Sequence, residues 1–257
     1  MTKRLTSLLA TTTFIIAASA SAFAADIAVK APLPAPAPVY SWTGWYVGGN
    51  AGAGFGHATT DFNAAPVTVT SAGSDTQYPS GFTGGGQIGY NWQYSPLIVV
   101  GLEADFQGAA ESDSDNLSQP FHLGAVTGTA LTNYTTKIDW FGTVRGRIGY
   151  VWGNGQLLSY VTGGLAYGKV DLAGTSTVVT GATFGHSQVN TGWVVGYGTE
   201  GHLPGNWIPG NWTWKIEGLY MDLGSLDTAV ATAGELVTTH THFTNGTLRA
   251  GLNYQFH

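Results

Sequence analysis

Two pairs of like charges, Glu103 with Asp105 and Arg145 with Arg147, sit at alternate positions inside apolar runs, and these are the residues best placed to do chemistry. Glu200, Lys215, Glu217 and Arg249 occupy similar settings further along the chain. An i, i+2 spacing places both members of a pair on one face of a β-strand. Gathered in one interior, four acids and four bases would be neutral overall. Each would still need a partner, because an unpaired charge held away from water is too costly to keep. Such a set could act as a gate or ion path. It could equally be a plug that satisfies its own charge and locks strand register. The acids and bases fall on neighbouring segments, which predicts pairing of Glu103 and Asp105 with Arg145 and Arg147, of Glu200 with Lys215, and of Glu217 with Arg249.

Other motifs carry weaker signals. Gly84-x-Gly86-x-x-Gly89 matches a dinucleotide fingerprint, but Tyr90, Asn91 and Trp92 continue a strand where that motif requires a helix. His240 and His242 share one face of a strand and offer a weak metal or haem contact; with no third ligand nearby, a solvated loop pair is the better reading. Glu111, Asp113 and Asp115 lack the glycine and closing glutamate of an EF-hand, so they read as a solvated acidic loop. A hydrolase would want a Ser or Asp with a His at one rim, and His57, His122 and His186 fall in predicted loops without an orienting partner. No catalytic, cofactor-binding or metal-binding residue is therefore assigned, and the expectation is a protein that is not an enzyme.

The elements carrying the eight charges alternate apolar and polar residues with period two. Phe82, Gly84, Gly86, Ile88, Tyr90 and Trp92 oppose Gln87, Asn91 and Gln93; Ile98, Val100, Leu102, Ala104 and Phe106 oppose Glu103, Asp105 and Gln107. Eight such stretches are predicted, at about 43–55, 81–93, 97–107, 139–152, 157–168, 191–202, 212–223 and 243–256. Each reaches or exceeds the roughly nine to eleven residues that a tilted strand needs to cross a bilayer. No segment after the leader approaches the roughly 18 to 20 apolar residues of a membrane helix, so a spanning chain must close into a barrel.

Lys3 and Arg4, the apolar run from Leu8 to Ala20 and Ala22-Phe23-Ala24 read as a signal peptide over 1–24. Residues 25–41, with Pro32, Pro34, Pro36 and Pro38 among alanines, read as a stiff periplasmic linker, and 42–257 as the barrel. Charged residues make up only 9% of the chain, against 38 glycines and 12% aromatics, a poor composition for a helical enzyme. Loss of Lys3 and Arg4 leaves 7 basic residues against 15 acidic ones, an acidic chain with no stripe to attract nucleic acid. The absence of cysteine fits an exported protein without disulfides.

Connections alternate in length. Tyr94-Ser95-Pro96 and Gly153-Asn154-Gly155 are tight turns, whereas the predicted first, third, fifth and seventh strands are followed by longer polar segments. Short turns face the periplasm in outer-membrane barrels, so both termini should be periplasmic. Trp42, Trp45, Trp92, Trp152, Trp207, Trp212 and Trp214 then gather at the periplasmic rim. Trp140 and Trp193, with Phe55, Phe82, Phe106 and Tyr167, gather at the outer one. Two aromatic bands mark two lipid interfaces, which turns the apolar strand faces toward lipid.

Ser41-Trp42-Thr43-Gly44-Trp45-Tyr46-Val47-Gly48-Gly49 resembles the first strand of small alphaproteobacterial outer-membrane barrels of the RopB type. Tyr160-Val161-Thr162-Gly163-Gly164-Leu165-Ala166-Tyr167-Gly168 and Leu219-Tyr220-Met221-Asp222-Leu223-Gly224 resemble later strands of the same family. The resemblance implies an all-β, eight-stranded, antiparallel up-and-down transmembrane barrel, OmpA-like and abundant in the cell outer membrane of a Gram-negative organism. It implies a porin-family protein without cofactors, a monomer whose partners are outer-membrane lipid, lipopolysaccharide and the barrel assembly machinery. The assembly signal would be Leu252, Tyr254 and Phe256. His257 follows the aromatic that usually ends the family, and the connection from Leu203 to Asn211 departs from its short turns. The functional expectation is a role in envelope integrity and surface interaction with a plugged lumen. A narrow channel, or loop-based uptake of a ligand such as haem, is the alternative.

Overall fold

Alternating side chains carry the polypeptide into long antiparallel strands, and the computed structural model describes residues 40–65, 69–123, 126–176, 182–232 and 235–256. The predicted leader, all but the last residues of the predicted linker, and His257 lie outside these residues. The strands are β1 (Gly44–Ala65), β2 (Val69–Gln77), β3 (Ser80–Ser95), β4 (Ile98–Leu123), β5 (Val126–Trp152), β6 (Leu157–Ser176), β7 (Ala182–His202), β8 (Trp212–Thr232) and β9 (Glu235–Phe256). From β3 onward each pairs with the next, and β1 closes on β9 from Trp45↔Phe256 to Ala65↔Leu236. Closure gives every strand two neighbours and leaves no open edge, the condition for a sheet to survive in hydrocarbon.

Nine strands form eight staves. β1 pairs with β3 as far as Phe55↔Ser80 and with β2 from Ala58↔Gln77, in unbroken register. β2 and β3 are one stave interrupted at Tyr78-Pro79, because proline brings no N–H to the ladder. The Gly56 N–H still bonds the Pro79 carbonyl at 2.6 Å.

At the short-turn end the strands stop within two residues of the predicted limits. At the other end they run on: β4 and β5 have 26 and 27 residues, far beyond a membrane crossing. The expected long loops are thus mostly hairpin extensions, and His57, His122, His186, His240, His242, Glu111, Asp113 and Asp115 lie on strands. These stretches are polar on both faces, so the period-two signal fades while Thr-rich backbone goes on pairing. The turn between β5 and β6 holds Gly153, Asn154 and Gly155 at φ of 60°, 58° and 88°, a left-handed run that glycine and asparagine accept with little strain.

Ile88, Leu102, Val144 and Leu252 point outward and are 49%, 57%, 53% and 45% exposed, forming an apolar belt. Trp45, Trp92 and Trp152 are exposed at its short-turn rim; Phe55, Phe82, Phe106 and Trp193 are exposed at the other. Trp42 departs from the predicted band. It is fully buried and packs inside the barrel mouth with Val99, Val151, Leu158 and Tyr160, because the segment before β1 turns inward. Trp42 Nε1 donates to the Gly155 carbonyl at 3.0 Å, and the ring meets Tyr40 edge-on at 5.0 Å.

If hydrocarbon covers the belt, Leu102→Arg costs about 2–4 kcal/mol in folding stability, the depth-dependent penalty of a midplane cation. Urea unfolding of the barrel in lipid vesicles measures this loss, whereas Ser112→Arg on the exposed extension leaves stability nearly unchanged.

Candidate functional site

The interior is layered. Above the mouth cluster of Trp42 lies a layer of charge, and above that an apolar layer containing Ile138, Phe141, Val170, Val194, Leu219, Met221 and Phe243. All eight predicted charges occupy the middle layer, and each is no more than 5% exposed. The pleat puts them there: Glu103 and Asp105 on β4, Arg145 and Arg147 on β5, Glu200 on β7, Lys215 and Glu217 on β8, and Arg249 on β9 share the inward parity of their strands.

Glu103 is the hub. Its carboxylate pairs with the Arg145 guanidinium, takes both oxygens to Lys215 Nζ at 2.7 and 2.8 Å, and accepts from Arg147 Nη1 at 3.5 Å. Arg145 also reaches Asp105 at 2.9 Å and Glu217 at 3.0 Å. Arg249 joins Glu217 at 2.6 Å and Asp105 at 2.7 Å. Two predicted neighbour pairs therefore form, Glu103 with Arg145 and Glu217 with Arg249, each directly opposite in register. The third pairing is redistributed. Glu200 and Lys215 are also register neighbours, yet Lys215 crosses to Glu103 while Glu200 takes Arg147 Nη1 at 2.7 Å. Inside a narrow barrel, long side chains reach across the lumen as easily as along the sheet, and Glu103 offers Lys215 both of its oxygens.

Several partners have no counterpart in the charge pattern. Arg147 lies between the rings of Tyr46 and Tyr160, 4.6 and 5.0 Å from their centroids, an arrangement that favours a desolvated guanidinium. Tyr46 donates to Glu103 at 2.7 Å, Tyr160 to Glu217 at 2.9 Å and Thr143 to Asp105 at 2.8 Å. Asn91 accepts from Arg147 at 2.7 and 2.9 Å. An Asn50–Gln87–Asn253 chain, with bonds of 2.8 and 2.6 Å, links β1, β3 and β9. Strand parity alone marks Tyr46, Asn50, Asn91 and Tyr160 as inward.

Glu111 stands apart, above the outer aromatic ring Phe106 on β4. It is 1% exposed; Asn245 Nδ2 donates to its Oε2 at 2.5 Å, and Oε1 has no partner. Burial pushes its carboxyl up to about 7.

Leu252, Tyr254 and Phe256 face outward on β9. Phe256 meets Tyr254 edge-on at 5.2 Å, and Tyr254 meets Trp212 at the same distance, so the last strand ends in an aromatic cluster opposite Trp45. Among the described residues, no group of three or more His, Asp or Glu side chains converges to hold a metal ion. Two of the three histidines weighed for hydrolysis contact polar neighbours on their own strands, His57 with Thr59 and His186 with Gln188, each at 3.3 Å. The connection from Leu203 to Asn211 leaves Trp207 exposed and is tied by Leu203 N–H to the Trp212 carbonyl at 2.8 Å.

A family model described as the outer membrane protein beta-barrel domain matches residues 10–256. The 31 kDa outer-membrane immunogenic protein of Brucella melitensis is 39% identical over 243 residues, covering 92% of this chain and 94% of that one. The 22 kDa outer membrane protein of Rhizobium leguminosarum bv. viciae is 33% identical over 192 residues, covering 74% and 68%. Among solved structures, the outer membrane protein OprG of Pseudomonas aeruginosa has a TM-score of 0.44 at 14% identity, with 84% and 97% covered.

Glu103→Ala leaves Lys215 and Arg145 short of a carboxylate in a buried layer and costs about 3–5 kcal/mol. Unheated gels read this as a fall in the temperature at which the compact folded band is lost. Glu111 gives a pH signature of the opposite kind. Its carboxyl holds a proton more tightly folded than unfolded, so stability declines as pH rises from the ordinary carboxylate range through about 7. Glu111→Gln abolishes that decline and leaves the variant more stable than wild type at pH 8; denaturant titration across pH 4–8 measures it.

Proposed function

Because the chain belongs to the outer-membrane β-barrel family and resides in the outer membrane, we propose that it serves the envelope as a plugged barrel, contributing mechanical integrity and presenting hairpins to the exterior. The observation that carries this reading is the burial of all eight interior charges between two apolar layers. An eight-stranded barrel has room for little beyond its own side chains, and a diffusion pore needs about twice as many strands. Water and ions would have to displace the apolar layer, the charge layer and the Trp42 cluster in turn.

The hairpins carry the surface role. Their outward faces present Asp61 and Asp227 above the belt, and Asp139 paired with Lys169 at 2.7 Å, while Asp113 and Asp115 share the parity of Glu111 on the inner face of β4. The Brucella melitensis relative is named an immunogenic protein of the outer membrane, which supports exposure of the corresponding surface here. Lipid and lipopolysaccharide surround the belt in this reading, the assembly machinery reads Leu252, Tyr254 and Phe256, and the barrel works as a monomer. The naming of the relatives as outer-membrane proteins favours a role without catalysis.

Planar-bilayer recording of the purified wild type tests the proposal. It predicts a silent membrane. Steady large openings from the wild type would favour a channel instead.

A further inference from the structure

The extension above the belt brings histidines and aspartates of three strands onto one outward face. Register places Asp61 of β1 and Asp227 of β8 on either side of His240 in β9, and Thr59 and Ser225 on either side of His242. His240 and His242 are two residues apart, point the same way and are exposed. Each has a carboxylate behind it. His240 Nδ1 lies 2.5 Å from Asp227 Oδ1, and His242 Nε2 lies 3.4 Å from Asp222 Oδ1.

The second contact depends on a bulge. β8 slips register between Asp222 and Gly224, with Gly224 at φ 73°, a left-handed conformation that glycine alone adopts freely. The Gly224 N–H bonds Asp222 Oδ1 at 2.8 Å, which fixes that carboxylate beside His242. An imidazole that donates one N–H to a carboxylate has its tautomer set and presents the other nitrogen as a more basic ligand. The Asp227 contact is a hydrogen bond and leaves Nε2 as the free nitrogen of His240, whereas Asp222 lies beside His242 at ion-pair distance.

We propose that His240 and His242 form a surface chelate for a borderline divalent transition cation of the zinc class, with Asp227 orienting the His240 ring and Asp222 placing a second carboxylate beside His242. Two imidazoles at alternate strand positions lie about 7 Å apart along the backbone and close on one ion by rotating toward each other. Water completes the coordination, since no third protein ligand converges among the described residues. Imidazole nitrogen selects zinc, copper or nickel over calcium and magnesium, which prefer oxygen. Ion binding would tie β9 to β8 through these carboxylates, next to the seam where β9 closes on β1.

The test is calorimetric titration of the untagged full-length barrel, folded in detergent micelles, with zinc chloride and in parallel with calcium chloride. Zinc is expected to saturate at one ion per chain and to protect both imidazoles from diethyl pyrocarbonate, while calcium does neither. His240→Asn and His242→Asn each weaken zinc binding by at least about tenfold, and Asp227→Asn, which removes only an orienting group, by about tenfold. His186→Asn leaves it unchanged. The proposal is overturned by a lack of saturable zinc binding, by calcium binding equally well, or by wild-type affinity in both histidine variants. Asp227, His240 and His242 are exposed and His186 is half-buried, and the compact band on unheated gels verifies folding of each variant.

Discussion

Eight ionised groups shut away from bulk solvent must satisfy one another, and the rest of this barrel is arranged around that demand. Transferring a carboxylate or an ammonium out of water costs several kcal/mol even after relaxation, so the layer is tolerable only when complete. Glu103 contacts Arg145, Arg147 and Lys215, and Tyr46 donates to it as well, so one side chain holds β1, β4, β5 and β8 to a common height. A one-residue slip of any of these strands would turn its charges to the outside. The interaction is thus worth more as a constraint on register than as net stability, since well-packed apolar residues of equal volume could stabilise as much.

The apolar layers on either side make the constraint sharper. Phe141, Leu219 and Met221 above, and Trp42, Val151 and Leu158 below, keep water from relieving an imperfect pair. Low local dielectric strengthens each pairing and raises the cost of losing one. Outside, the logic is reversed: hydrocarbon accepts Ile88, Leu102 and Val144 without penalty but no unpaired backbone group, and β1 closing on β9 provides for that. Above the belt neither solvent rule applies, and the strands continue as polar ribbons.

Legibility in the sequence followed the same physics. Where one face met lipid and the other the lumen, alternation was strong, and the short-turn strand ends and the inward parity of all eight charges could be read directly. Once both faces carried mostly polar residues, as around Thr132 to Lys137 or Thr238 to His242, the alternation carried no contrast and continuing strands read as loops. Trp42 misled because a tryptophan near a rim suits a lipid interface equally well, and only the inward turn of the segment before β1 tells them apart. The Lys215–Glu103 pair joins residues 112 apart in sequence across the lumen, a choice that neighbour pairing could not anticipate. Of the interior apolar layer, Phe141, Val194, Leu219, Met221 and Phe243 keep the parity of the charges on their strands, whereas register slips in β5 and β8 at Ile138/Trp140 and Asp222/Gly224 turn Ile138 and Leu226 inward against the alternation.

The central claim is that the interior charges act as one coupled unit. A double-mutant cycle on Glu103→Gln and Lys215→Met, with unfolding free energies measured in lipid vesicles, tests it most directly. The account predicts a coupling energy of about 2 kcal/mol or more, the double variant being far less destabilised than the sum of the singles. Additive losses would contradict it.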